Sequence, residues 1–386
     1  MIPYGKQNIN QADIDSVVEV LKSDFITQGP AIERFERAVA EFTGAKYAVA
    51  VSNATAALHI GCLSLGLQEG DIAWTSPNTF VASANCVLYC GAEIDFVDID
   101  AKTYNISVSE LERKLSEAEK KGKLPKVIIP VHFSGQSCDM KRIHALSRKY
   151  DFKIIEDASH AIGGKYNNKP VGNCEFSDMA VFSFHPVKII TTGEGGMVVT
   201  NNEQLYNKLI RLRSHGITRE ASLMTEPSHG PWYYQQIDLG YNFRMTDIQA
   251  ALGTSQMKRL DEFVKRRHQI AERYDRLLAD LPVTLPYQDS DTYSAFHLYV
   301  IRLQLVKIKL SHRAVFENLR ENGIGVQLHY IPVHTQPYYQ NLGFNMGDFP
   351  ATEKYYSEII SLPMYYDLDI ERQEKVIKTL AGVLDK

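Results

Sequence analysis

Between residues 47 and 201, short runs of β-branched and other apolar residues alternate with longer stretches whose apolar positions recur every three or four residues. The short runs read as strands and the longer ones as amphipathic helices, because side chains alternate faces along a strand but return to one face after about 3.6 residues of helix. Strands are predicted at Tyr47–Asn53, Asp71–Pro77, Glu93–Asp100, Lys126–Phe133, Lys153–Ser159, Met179–His185 and Gly196–Asn201. Helices are predicted between them at Ala54–Leu65, Phe80–Cys90, Val108–Lys121 and Met140–Tyr150. Such alternation predicts an α/β fold with a largely parallel sheet covered by helices on both faces. The glycine-rich turn Thr191-Thr192-Gly193-Glu194-Gly195-Gly196 is too short for a helical crossover, so the strand from Gly196 is expected to return antiparallel or with a local twist.

After Asn201 the pattern changes. Glu203–Arg213 reads as a helix, followed by a polar and aromatic segment from Ser214 to Asn242 that is too long for a simple connector. Thr246–Leu278 reads as one or two helices. Strands at His297–Leu303 and Gly325–His329, with helices at Arg313–Asn322 and Ala351–Ile360, predict a smaller α/β unit. We divide the chain into a large domain over residues 1–255 and a smaller C-terminal domain over residues 256–386. No repeat or low-complexity linker separates them, so the two are expected to pack closely.

Composition changes this picture little. The 386 residues are 44% hydrophobic and 23% charged, ordinary for a globular chain. A net charge of −4 supplies no basic excess for phosphate neutralisation, which argues against a nucleic-acid partner. Five cysteines (Cys62, Cys86, Cys90, Cys138, Cys174) form no CxxC pair, and the chain opens without a charged segment and apolar run of secretory type. No run approaches the roughly 20 apolar residues of a membrane span. These features predict a soluble, cytoplasmic protein with reduced thiols and no membrane partner.

The chemistry gathers at strand ends. One strand ends in Ile154-Ile155-Glu156-Asp157-Ala158-Ser159-His160, and the next leads through Ser183-Phe184-His185-Pro186-Val187 to Lys188. Ligands of open α/β sheets bind beyond the carboxyl ends of the strands. An Asp there often caps a turn, and most loop lysines are solvated; placed after successive strands, the two can reach one crevice. A lysine amine and a carboxylate so placed suit pyridoxal 5'-phosphate. The amine forms a Schiff base with the aldehyde, and the carboxylate keeps the pyridine nitrogen protonated. A neighbouring cation and partial desolvation would depress the lysine and free its amine.

Other residues carry two readings each. Ser52-Asn53-Ala54-Thr55-Ala56 would offer backbone N–H groups and the Thr55 hydroxyl to a phosphate, yet the same residue types make an ordinary N-cap. Ser183 would add a second hydroxyl. Phe80 would stack on a pyridine ring or simply fill core. His160 would meet the ring hydroxyl or sit idle in a loop. Gly193–Gly196 lacks both GxGxxG and P-loop spacing, and the twelve histidines show no HExxH, so no metal is expected. A metal-dependent hydrolase built on His132, Asp157, His160 and His185 stands as an alternative from another class.

Seven segments in order resemble the DegT/DnrJ/EryC1/StrS sugar aminotransferases. They are Thr27-Gln28-Gly29-Pro30, Ser52–Leu58, Pro77-Asn78-Thr79-Phe80-Val81-Ala82, Glu156–Gly163, Lys188 with Gly193–Gly196, Tyr241-Asn242-Phe243-Arg244-Met245 and His329-Tyr330-Ile331-Pro332. The resemblance implies the aspartate-aminotransferase fold (type I), with a mixed, mostly parallel seven-stranded sheet. It implies Lys188 as the Schiff-base lysine and Asp157 as the ring-nitrogen partner. Ala54, Thr55, Ala56 and Ser183 would hold the phosphate, Phe80 would stack on the ring and His160 would lie near its hydroxyl. Asn242 would reach the cofactor of the neighbouring subunit, implying a homodimer with shared active sites. Many relatives carry glutamine where this chain has His160. Pro3-Tyr4-Gly5-Lys6, Ser23–Gly29 and Phe184–Lys188 look most like the branch that serves the pseudaminic acid pathway. By that likeness Tyr4, Asp24, Phe25, Ile26, Thr27, His329, Tyr330, Ile331 and Pro332 would contact a nucleotide sugar, a UDP-4-keto-6-deoxy-N-acetylhexosamine aminated from L-glutamate. Other dTDP- or GDP-linked 3- or 4-keto sugars are the alternative acceptors.

Overall fold

The computed structural model describes residues 1–385. Seven strands form the main sheet: β1 (Tyr47–Val51), β2 (Ile72–Thr75), β3 (Glu93–Phe96), β4 (Val127–Ile129), β5 (Lys153–Asp157), β6 (Met179–Ser183) and β7 (Gly196–Thr200). Their order is β1-β7-β6-β5-β4-β2-β3. β7 alone runs against its neighbours, pairing antiparallel with both β1 and β6, while β6, β5, β4, β2 and β3 pair in parallel. The antiparallel return predicted for Gly196 is therefore present.

β4, β6 and β7 are buried along their whole length, which is why they read as unbroken apolar runs rather than alternating ones. Along β6 and β7, Val181 and Val198 join the core beneath α3 (Ala54–Ser64) and α4 (Ala82–Tyr89), which follow the N-terminal helices α1 (Gln11–Leu21) and α2 (Pro30–Thr43). Phe182 and Met197, their strand neighbours, join Phe35 and Val39 on the opposite face.

Towards the C-terminus a three-stranded antiparallel sheet is built from Val283–Thr284, Tyr299–Leu303 and Ile359–Leu362. Its core includes Tyr274, Tyr299, Leu319, Ile360 and Leu380, and Ile2 joins it through a bridge to Ile324. The N-terminal residues thus run beside the C-terminal ones.

Two expectations fail here. Gly325–His329 is no strand; it keeps one isolated bridge, Gln327 to Ser361. The Gly325 N–H bonds to the Ile2 carbonyl at 2.7 Å, so the N-terminal strip takes the place of a ladder partner. The helix predicted over Ala351–Ile360 spans Pro350–Tyr356, and Ile359 and Ile360 belong to the last strand. Apolar residues that repeat over so short a span cannot separate the two periods. Among the described residues no helix is long and apolar enough to cross a membrane.

Candidate active site

β1, β5 and β6 point the same way, so Ser52–Ala54, Asp157 and Ser183 emerge at one sheet edge, where β7 begins. Gly196 stands in register with both Val51 and Ser183. A Cβ on Gly196 would lie 2.5 Å from the backbone of Asn53 and 2.7 Å from the nitrogen of Ala54. Only glycine lets the start of α3 settle so close to the sheet. The Asn53 side chain caps that helix by accepting from the Ala56 N–H at 2.8 Å. The Ala54 and Thr55 N–H groups, first in the helix, have no intrahelical acceptor and form a dipole-assisted anion seat.

The edge opens into a cavity of about 790 Å³ lined by Ala54, Thr55, Ala56, Phe80, Asp157, Ser183 and Lys188, among others. One Asp157 oxygen accepts from the Ser83 hydroxyl at 2.6 Å, the other from the Ser159 N–H at 3.1 Å. Ser83 is itself paired with Thr79, 2.7 Å away. Lys188 keeps part of its surface open to the cavity, while the protein around it pushes its amine down to about 8, with Asp157 pulling the other way. No neighbouring cation contributes, contrary to the expectation from sequence; burial alone depresses the amine.

Three imidazoles surround the lysine. Burial and the Lys188 charge push His160 well below the usual histidine range and take His329 down to about 3. Burial, then His160 and Lys188, lower His297 in the same way. All three are therefore neutral hydrogen-bonding groups at neutral pH. His160 accepts from the Ser134 N–H at Nδ1 (3.2 Å), and its Nε2 lies 3.0 Å from the Tyr330 hydroxyl. His329 Nδ1 meets Ser361 Oγ at 2.8 Å. Among the described residues neither ring nitrogen of His297 has a partner, and its ring centroid lies 4.4 Å from that of His160.

Of the residues expected at the site, Tyr4, Ala54, Thr55, Ala56, Phe80, Asp157, His160, Ser183, Lys188, His329 and Tyr330 come together around this cavity. Ile331 is half exposed beside it and Pro332 is buried beneath; neither lines it. Asp24, Phe25, Ile26 and Thr27 are exposed on the connection between Gln11–Leu21 and Pro30–Thr43, away from the cavity wall. Asn242 is exposed as well, bridged to Ser214. Sequence reasoning missed Ser83, Ser134 and His297. Ser83 carried only the weak signal of its place in the first turn of the predicted Phe80–Cys90 helix, just after Thr79. His297 carried none, since only the fold brings it to His160. His132 faces away, held by Glu156 at 2.6 Å and by the Cys138 N–H at 3.1 Å, so the four residues of the hydrolase alternative do not converge. No group of three or more His, Cys, Asp or Glu among the described residues is placed to hold a metal.

An anion seat at a helix start, a carboxylate and a depressed lysine amine on one cavity wall match the phosphate, ring nitrogen and aldehyde of pyridoxal phosphate. Fold and cavity together define a pyridoxal-phosphate aminotransferase of the aspartate-aminotransferase fold. The DegT/DnrJ/EryC1/StrS aminotransferase family matches over residues 7–381, and this chain belongs to it. It is 38% identical over 386 residues to the spore coat polysaccharide biosynthesis protein SpsC of Bacillus subtilis, covering 99% of this chain and 97% of that one. It is also 38% identical over 391 residues to a UDP-4-amino-4,6-dideoxy-N-acetyl-beta-L-altrosamine transaminase of Campylobacter jejuni, covering 100% and 98%. Among solved structures it superposes on Helicobacter pylori PseC, an aminotransferase of pseudoaminic acid biosynthesis, with a TM-score of 0.90 at 32% identity over 100% and 99% of the chains. The PMP-form of Spr1654 from Streptococcus pneumoniae gives 0.91 at 30% identity over 100% and 99% of the chains. The protein is a pyridoxal-phosphate-dependent sugar aminotransferase.

Proposed function

We propose that this enzyme moves the amino group of L-glutamate to the C4 keto group of a UDP-4-keto-6-deoxy-N-acetylhexosamine, in pseudaminic acid biosynthesis. The observation that carries the reading is the likeness to the Campylobacter and Helicobacter proteins over the whole chain, beside a cavity large enough for a sugar. Bound pyridoxal phosphate supplies an aldehyde that captures the amine and a ring that draws electrons from the carbon being deprotonated. Ala54, Thr55 and Ser183 hold its phosphate, with Ala56 lining the seat while its N–H stays on the Asn53 cap, and Phe80 covers its face. Asp157, steadied by Ser83 and the Ser159 N–H, keeps the ring nitrogen protonated. The neutral Lys188 amine takes the proton from the donor α-carbon, and the same amine returns one to the sugar C4 in the second half of the cycle.

Asn242 and the Asp24–Thr27 strip belong, in this reading, to the neighbouring subunit's site in a homodimer. Their exposure supports it: Phe25 is 55% and Ile26 52% exposed, and the Ile26 carbonyl is tied to the Asp247 N–H close to Asn242. We place the enzyme in the cytoplasm, which five free thiols favour.

The likeness to SpsC is as strong as that to the Campylobacter transaminase, which favours a second reading with another nucleotide-linked keto sugar as acceptor. UDP-, dTDP- and GDP-4-keto sugars, each incubated with the holoenzyme and L-glutamate, separate the two when products are identified by mass spectrometry and NMR. Transfer to the UDP-linked N-acetyl sugar is expected. Transfer only to a dTDP or GDP sugar would overturn the assignment of the base.

A further inference from the structure

The backbone around His297 is fixed from several sides, yet among the described residues nothing bonds to its imidazole. Phe296, just before it, sits at φ 45°, in the left-handed region that a side chain makes costly. The Ala295 N–H donates to the Gly135 carbonyl at 3.0 Å, and the Leu298 carbonyl accepts from the Ser134 hydroxyl at 2.7 Å. Gly135 is packed so closely that a Cβ there would lie 2.8 Å from the Phe296 nitrogen and 3.1 Å from that of His297. From behind, Arg267 Nη1 donates to the Phe296, His297 and Met364 carbonyls at 3.0, 3.1 and 3.1 Å. Backbone held this firmly in a costly conformation serves the group it leaves uncommitted, the imidazole.

That ring borders the cavity, 4.4 Å from the ring of His160. Its Nδ1 is enclosed without a hydrogen-bond partner, and a buried N–H left unpaired costs more than a bare lone pair. The proton of the neutral ring therefore sits on Nε2, the nitrogen on the cavity side. Arg267 is only 3% exposed and pairs with no carboxylate among the described residues; burial lowers it to about 10, so it stays charged. A buried cation without a counter-ion favours an anion nearby. An amino-acid donor brings one, because its carboxylate is bonded to the carbon that must meet Lys188. The diphosphate of a nucleotide sugar, by contrast, lies across the sugar ring from C4.

We propose that the Nε2–H of His297 donates to the carboxylate on the reacting carbon of the amino-acid donor, and that Arg267 is a positioning residue that holds His297 there and leaves the wall behind it positive. This rests on the donor being an α-amino acid, as in the reading above, and adds which side chain meets its carboxylate.

The test follows the visible band of the holoenzyme on adding L-glutamate without sugar, which gives a half-saturating concentration and a limiting rate. His297→Phe keeps a ring packed on His160 but removes the N–H. It is expected to raise half-saturating glutamate by about 10- to 100-fold, the range of a hydrogen bond to a charged group, with sugar KM and the starting band unchanged. His297→Asn should do the same, its amide falling short of the Nε2 position, while His297→Gln reaches that position and should recover most of the loss. Arg267→Met should raise half-saturation too, and combining it with His297→Phe should add little, because both act on one contact. Binding of 2-methyl-L-glutamate, which has no α-hydrogen to give up, should weaken in His297→Phe by the same factor, read as a shift of the band. Unchanged half-saturation in His297→Phe and His297→Asn would overturn the proposal. So would a rise in sugar KM alone, which would assign the imidazole to the sugar. An equal rise of glutamate and sugar constants in Arg267→Met would make that residue merely structural. An unaltered holoenzyme whose band no α-amino acid bleaches would instead overturn the donor reading on which the contact rests.

Discussion

The depressed Lys188 amine has a direct kinetic consequence. Its value of about 8 lies some two and a half pH units beneath the ordinary 10.5, so at neutral pH the reactive neutral fraction is greater by roughly 300-fold. Burial causes the drop and Asp157 opposes it. The rate at which cofactor-free enzyme captures pyridoxal phosphate, followed as growth of the visible band, should climb with pH and level off near 8. A free lysine derivative, measured alongside, supplies the titration of the cofactor itself. Removing the opposing charge in Asp157→Asn should move the bend lower, because desolvation then acts unbalanced. The surrounding imidazoles cannot imitate this bend, since His160, His297 and His329 are all pushed below the ordinary histidine range. A bend near 10.5, or one that rises in Asp157→Asn, would show that the amine is not enclosed as described.

Other outcomes follow from the same geometry. Ser83→Ala removes a 2.6 Å bond to a carboxylate, a type of contact contributing about 1.5–3 kcal/mol, so stopped-flow measurement of the glutamate half-reaction should show a slowing of roughly 10- to 100-fold with little change in sugar KM. Gly196→Ala forces a methyl into the Asn53 backbone; about 1–3 kcal/mol of stability should be lost in thermal unfolding, together with weakened cofactor retention. Because the folded lysine titrates near 8 and the unfolded one near 10.5, the unfolded state binds more protons between those values. Stability of the cofactor-free enzyme should therefore rise with pH across that window, and Lys188→Met should flatten the rise in a series of unfolding curves. If sites are shared between subunits, mixing inactive Lys188→Ala and Asn242→Ala enzymes and allowing subunit exchange should restore part of the activity; no recovery despite confirmed exchange would count against sharing.

Much of this architecture was legible in local pattern. Fully buried strands such as Met179–Ser183 announce themselves as apolar runs, and the Gly193–Gly196 turn excludes a crossover and so sets the direction of Gly196–Thr200. Lys188 and Asp157 were legible because Asp157 ends one strand and Lys188 follows the next, and such carboxyl ends define the site. What local pattern lacks is information about distant pairing. Strand order places Gly196 against Asn53, residues far apart in the chain, and nothing near either one says so. The N-terminal strip beside Gly325 displaced a ladder that the residues of Gly325–His329 otherwise suit. Ser134 and His297 belong to the site only because the fold packs the 133–135 turn and the 295–298 segment against His160, so their own neighbours in sequence give no hint of it.

The cavity's treatment of charge ties these observations together. Its lining includes Lys188 but no arginine, and the phosphate seat is made of helix-end N–H groups and hydroxyls. A guanidinium there would bind the phosphate, yet its charge would also bear on the amine and on the ring. With dipoles holding the phosphate, the electrostatic balance at the lysine is left to burial on one side and Asp157 on the other. The imidazoles around it add polarity without charge, because the same burial that frees the amine keeps them neutral. One desolvated wall therefore gives a nucleophilic amine and a set of uncharged donors and acceptors at the same pH. Apart from Lys188 the lining carries no lysine or arginine, so the proposed nucleotide-sugar substrate and homodimer together give a physical reason to look for further cations on the 214–244 segment of a second subunit, where Arg244 stands two residues from Asn242.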